Sequence, residues 1–165
     1  MDWLLHRRHD PEPPRIEQPE LQPIRLYSAE AVVTGWVDPA GDRITDILQR
    51  RDELAVLPDG TDPRDPEAWR SVNADALVLV VPPPHTGRPE LRVHRQRQTV
   101  RVKAGPYVVS GTAHLKPGHA EDIYLRAAQP FLPLTEAAVE RDGELLERTE
   151  VVIVNMRLVE EFTET

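Results

Sequence analysis

The chain has 165 residues, no cysteine, 17 prolines and a net charge of −8 at pH 7. Disulfides and thiolate metal sites are therefore excluded. An acidic chain is repelled by phosphate, which disfavours non-specific binding to nucleic acid and to anionic membrane. No apolar run reaches the ~20 residues that a membrane-spanning helix needs, so no membrane span is expected. The short apolar stretch Trp3-Leu4-Leu5 is followed, not preceded, by Arg7 and Arg8. It does not read as a signal peptide, and cytoplasmic residence is the expectation.

Residues 1–23 open with MDWLLHRRHD and continue as the proline-rich, charged stretch PEPPRIEQPELQP. Such a composition predicts an extended tail without a packed core. Trp3, Leu4 and Leu5 are either a frayed terminus or a short docking motif on a tether, since Trp is enriched at interface anchors. Residues 24–38 alternate apolar and polar side chains, which predicts two antiparallel strands. Gly35 lies inside the second strand, where glycine marks a bulge, a bend or a close backbone approach. After the turn Asp38-Pro39-Ala40-Gly41, a helix is predicted from Asp42, its cap, to about Arg51, with Ile44, Ile47 and Leu48 on one face. Leu54 to Leu57 predicts a short strand, residues 59–71 a polar loop, and Ala76 to Val81 a buried central strand.

Residues 82–98 read as a linker, stiffened by Pro82-Pro83-Pro84 and locally basic. Beyond it the pattern returns. Val100–Val102 and Tyr107–Leu115 predict two strands, the second again holding a glycine, Gly111. A helix is predicted from about His119 to Ala128. Phe131–Leu134 predicts a strand matching Leu54–Leu57. Asp142-Gly143 between Ala137–Glu140 and Leu145–Arg148 is a hairpin signal. Val151–Val154 predicts a strand matching Ala76–Leu79.

This return is visible residue by residue. Residues 24–50 laid on 100–126 without a gap match at Arg25/Arg101, Val32/Val108, Val33/Val109, Gly35/Gly111, Asp46/Asp122, Ile47/Ile123 and Arg50/Arg126. Random pairing would supply about one or two identities over such a length. The match indicates an internal duplication. The fold expected is mainly β or α+β. It comprises two tandem small units, barrel-like or curled sheets, each with one short helix, over residues 24–81 and 99–165.

Chemistry is sparse by comparison. No G-x-S-x-G, P-loop or G-x-G-x-x-G motif is present, and no catalytic residue, cofactor or metal is assigned. His114 and His119 flank the turn of the second unit, but with Asp122 they do not make a convincing ligand set. Asp46/Arg50 and Asp122/Arg126 have the spacing of solvated helical ion pairs. Arg92, Arg95, Arg97 and Arg101 could present a basic edge to RNA or to an acidic partner, although no aromatic residue accompanies them. Where the two copies differ most is the turn, Trp36 and Asp38 against Thr112 and His114.

The stretch YVVSGTAHLKPGHAEDIYL, followed by PFLPLTEAAV and VVIVN, resembles an uncharacterised bacterial domain family. The positions that carry the resemblance are Gly111, Thr112, His114, Asp122, Phe131, Pro133, Leu134 and Thr135. It covers about residues 100–155. The first unit departs from the pattern at Trp36, Asp38 and Ala55-Val56-Leu57. The resemblance implies a small β-rich domain and no known activity.

The function expected is that of a non-enzymatic interaction, scaffold or regulatory protein. Its contacts with a protein partner would be made by Trp3, Leu4, Leu5, Trp36 and His114, with homo-oligomerisation left open. The alternative is an RNA- or nucleotide-ligand-binding protein using Arg92, Arg95, Arg97 and Arg101.

Overall fold

The computed structural model describes residues 20–84, 96–115 and 130–165. The docking motif Trp3-Leu4-Leu5, the arginines 92 and 95, and the second helix expected over 119–128 lie outside the described residues.

The chain is mainly β. In order, the elements are β1 (Gln22–Tyr27), β2 (Val32–Val37), α1 (Ile44–Arg50), β3 (Glu53–Pro58), β4 (Arg70–Asn73), the 3-10 turn η1 (Ala74–Ala76) and β5 (Leu79–Val81). They are followed by β6 (Gln96–Ala104), β7 (Tyr107–Leu115), β8 (Phe131–Arg141), β9 (Glu144–Asn155), the 3-10 turn η2 (Met156–Leu158) and β10 (Val159–Glu164). No described helix is long and apolar enough to cross a membrane.

Local chemistry explains most of these boundaries. The β8–β9 hairpin turns at Asp142 and Gly143, with φ of 52° and 79°. Two positive φ angles match the right-handed twist of the flanking strands, and Asp-Gly accepts them with little strain. Helix α1 begins later than expected, at Ile44, behind an Arg43 that offers no side-chain cap. Asp42 instead pairs with Arg50 at 3.2 Å, while Arg50 Nε donates to the Asp46 carbonyl at 3.1 Å. The helical Asp46/Arg50 ion pair is thus replaced by an ion pair to Asp42. Leu48 and Ile44 are buried, as the helical periodicity required.

All strands described belong to one antiparallel sheet with the order β10-β6-β7-β8-β9-β5-β1-β2-β3-β4. The strands expected to form two separate, barrel-like units thus lie in a single sheet that does not close, the two sets meeting through Leu79 opposite Val154 and Val80 opposite Ile153. Each set of five strands has the same internal order. In both, the fifth strand pairs with the first, and the second, third and fourth follow as a meander. In both, a 3-10 turn capped by an Asn side chain, Asn73 or Asn155, leads into the fifth strand.

Several boundaries differ from expectation. Residues 59–71 are not loop to their end, because β4 starts at Arg70 and adds an outer strand to β3. The apolar run from Ala76 is mostly approach, with the 3-10 turn first and only Leu79–Val81 as strand. Val151–Val154 is the end of the long strand β9, so it stands where β4 stands, not where β5 does. The linker is also shorter than 82–98, because Gln96 to Gln98 already pair with β7.

The core has two parts. One gathers Tyr27, Leu79, Val100, Val102, Tyr107, Val109, Leu134, Val139, Val152 and Val154. The other gathers Ile24, Leu26, Val37, Ile44, Leu48, Leu54, Val56, Val80 and Ile153. Neighbouring residues of β1, β5 and β9 divide between them: Leu26 against Tyr27, Val80 against Leu79, Ile153 against Val152 and Val154. Side chains alternate across a strand, so these three strands are buried on both faces. The continuous apolar patterning of 77–81 and 151–154 has this cause.

The two strand glycines sit at close backbone approaches. A Cβ on Gly35 would lie 2.8 Å from the Leu57 carbonyl oxygen and from Val56 Cγ1. One on Gly111 would lie 3.1 Å from Leu134 Cβ and from the Thr135 carbonyl oxygen. The β7–β8 register shifts between Ser110 and Thr112, at Gly111. The bulge or close approach expected of a strand glycine is present at both sites.

Candidate functional site

Three surfaces hold the residues that sequence reasoning or geometry singles out. The first is on β2. Val32, Val33 and Trp36 are exposed, at 48%, 50% and 38%. For the two valines the reason is positional. Strand β2 pairs with β1 along its whole length but with β3 only at Gly35 and Trp36. Val32, Val33 and Thr34 therefore have a strand on one side alone. Trp36 stands between Pro23 of β1 and Leu57 of β3 in the register. Alternation puts Val32 and Trp36 on one face of the sheet and Val33 on the other, and large apolar side chains exposed together on one face are the usual mark of a contact surface.

The second surface is on β6. Arg97, Thr99, Arg101 and Lys103 are the outward positions of this strand, while Val100, Val102 and Ala104 between them are buried. The two arginines share a face, as strand alternation required. The face is not uniformly basic, however. Arg101 lies 3.7 Å from Glu140, and Lys103 lies 3.6 Å from Glu160. His114 stands opposite Arg97 in the register. It is half-buried, with Nε2 2.6 Å from the Thr135 hydroxyl. A half-buried, hydrogen-bonded imidazole of this kind helps to hold β7 against β8. Among the described residues, no three His, Asp or Glu side chains converge as a metal site requires.

The third surface is the polar seam between the two sets of strands, which sequence reasoning missed. Glu147 of β9 accepts a hydrogen bond from Arg25 at 2.5 Å and another from the Tyr27 hydroxyl. The Tyr27 ring meets Tyr107 edge-on, with centroids 5.3 Å apart and planes at 84°. The Tyr107 hydroxyl donates to the Ser28 carbonyl at 2.6 Å, and the Arg141 guanidinium lies 5.7 Å above its ring. These residues are scattered over several strands and turns, so no local spacing announces the group. Arg25 matches Arg101 in the repeat, which was the one available signal.

Burial first, and then the Glu147 carboxylate, raise the Tyr27 phenol well above its ordinary value of 10.0. The Arg25 guanidinium is raised chiefly by its hydrogen bond to Glu147. The folded chain thus holds Tyr27 neutral where the unfolded chain would ionise it. This contribution to stability is complete below about pH 10 and declines as pH rises above it. Urea melts between about pH 9 and about pH 11 should show that decline, and Tyr27→Phe should flatten it. Equal slopes for both proteins would mean that Tyr27 is not held neutral by the fold.

Among the described residues, an open concavity of about 310 Å³ lies on α1 at Asp46, Gln49 and Arg50. A cleft of about 70 Å³ lies between α1, η1 and η2, lined by Gln49, Arg51, Asp52, Ala74, Asp75 and Phe131, among others. It is small against the ~300–1,000 Å³ of ordinary ligand sites. Arg157 crosses its rim to Asp75 at 2.5 Å. No protein-family model, no curated protein and no solved structure matches this chain.

Proposed function

We propose that the chain is a non-enzymatic cytoplasmic interaction or scaffold protein built by internal duplication of a five-strand, curled-sheet unit. The repeated strand order and the two Asn-capped turns support duplication. So do the matching close approaches at Gly35 and Gly111. The unit would be that of the uncharacterised bacterial family whose pattern it resembles. Its partner surface is the exposed pair Val32 and Trp36 on one face of β2, and the carrying observation is that these two large apolar side chains stand uncovered there. The tail bearing Trp3, Leu4 and Leu5 would supply a second, tethered contact.

The test is affinity capture from the source organism with four baits: the full chain, Trp36→Ala, Trp69→Ala, and a chain starting at Glu20. Trp69 lies in the β3–β4 loop, outside the patch, so its variant is the control. A central Trp is worth about 2 kcal/mol or more at an interface, ~30-fold in affinity. Trp36→Ala should lose a partner that Trp69→Ala keeps. The same partners in the same amounts on every bait would remove both contact surfaces from the proposal.

The second reading, an RNA or nucleotide ligand on the Arg92–Arg101 segment, draws on Arg97, Arg101 and Lys103 sharing one face. Glu140 and Glu160 beside them lower the positive field, so the first reading is preferred. Salt-sensitive RNA binding that Arg97→Ala abolishes would reverse that preference.

A further inference from the structure

The sheet ends in two strands that are complementary to each other. At its centre, the fourth strand of the second set, β9, pairs with the fifth strand of the first set, β5. The two strands left at the ends are the fourth strand of the first set, β4, and the fifth of the second, β10. Among the described residues, β4 pairs only with β3, and β10 only with β6. Among those residues each therefore has one edge without a neighbouring strand, a ready template for strand addition. We propose that copies of this chain associate head to tail, β10 of one copy adding to β4 of the next with the geometry of the internal β5–β9 pair. The proposal rests on the duplication argued above and not on the Trp36 surface.

The register follows from residues that hold equivalent places. Val80 and Phe162 each face the matching residue of the first strand, Leu26 and Val102. Asn73 and Asn155 each end the fourth strand and cap the following turn. Transferring Leu79–Val154 and Val80–Ile153 to the ends sets Glu161 opposite Val72 and Phe162 opposite Ser71. Arg70 then lies diagonal to Glu161 across the joint, within reach of a charged pair.

Side chains beside the joint are suited to the same arrangement. Inside the chain, Asn155 Nδ2 donates to the Leu77 carbonyl at 2.8 Å, tying the end of β9 to the approach of β5. Asn73 is the residue in that position on β4; its Oδ1 already accepts from the Asp75 amide at 2.9 Å. In the proposed joint its Nδ2 meets the carbonyl of Val159 in the next copy. Arg157 and Asp75, which face each other at the internal joint, hold matching places in the two turns. They meet again between copies with roles exchanged and charges still opposite. The outer joint is more polar than the inner one, with Glu160 and Glu161 where β5 has Val78 and Leu79. Such a joint is weaker and concentration-dependent. A head-to-tail joint makes a ring if its rotation closes and a filament if not.

The native chain has no cysteine, so paired cysteines report the joint without background. The double variant Val72→Cys with Glu161→Cys, oxidised at rising concentration, should give a ladder at two, three and more times the 18.7 kDa chain mass. Each single variant should stay at one chain mass. A cross-linked dimer from either single variant would show like edges meeting and overturn the proposal. So would a double variant that stays monomeric, provided its reduced form melts with the wild type. Neither result touches the Trp36 capture experiment, which reads a different surface on a monomer.

Discussion

Asn155→Ala should destabilise the chain by about 2–4 kcal/mol, whereas Asn73→Ala should cost about 1 kcal/mol in the monomer. Both asparagines cap a 3-10 turn by accepting from the amide two residues on, at 3.1 Å for Asn155 and 2.9 Å for Asn73. They differ in what surrounds them. Asn155 is 1% exposed, the one buried polar side chain among the described residues, and its Nδ2 satisfies the Leu77 carbonyl. Removing it strands a buried acceptor as well as the cap, and a stranded acceptor costs about 1–3 kcal/mol alone. Asn73 is exposed, so water can replace what its side chain leaves behind. Urea melts of the two variants against wild type measure the difference. Equal losses would show that Asn155 does no more than cap its turn, and that the two sets of strands are not tied there.

Gly35→Ala should lose about 1–3 kcal/mol, and Gly111→Ala less. At Gly35 the added methyl would sit 2.8 Å from a backbone carbonyl, the Leu57 oxygen, which can move only if β3 moves. Strand β3 is held on its other side by β4 over Glu53–Val56, so the strain spreads instead of relaxing. At Gly111 the nearest atoms are 3.1 Å away, and the adjoining register shift gives β8 some freedom. Thermal melts should rank wild type, Gly111→Ala and Gly35→Ala in falling order. A Gly35→Ala protein as stable as wild type would mean that β2 and β3 do not approach as closely as described.

Much of the fold could be read from the chain because its signals are local. Strand alternation at Ile24–Leu26 and Val100–Val102 gave β1 and β6. Asp142-Gly143 gave the long hairpin. The glycines at 35 and 111 marked the points of closest approach. What escaped depends on distant partners. Strand β4 reads Arg-Ser-Val-Asn, with one apolar residue, because an outer strand packs only one face and needs little hydrophobicity. The arm Leu145–Arg148 and the strand Val151–Val154 were both legible, but not that they form one strand, because the polar Thr149-Glu150 between them is held extended only by pairing with β8. The seam of Arg25, Tyr27, Tyr107 and Glu147 joins residues up to 122 positions apart in sequence. Such a group becomes visible only when the strand order is known. Of the proposed contact residues, Trp36 was singled out because the two aligned stretches differ there, and it is exposed although β1 and β3 flank it on both sides. His114 diverges at the same turn but is engaged with Thr135.

The shared sheet and the head-to-tail association both depend on β5 and β9 joining two like sets of strands. The direct measurement is the set of interstrand backbone NOEs in the folded chain. Contacts linking Leu79 with Val154 and Val80 with Ile153 are the result the strand order requires. Their absence, with the β1–β2 and β8–β9 contacts present, would mean that the two sets fold without a shared sheet. It would contradict both the internal joint and the head-to-tail association that copies its geometry.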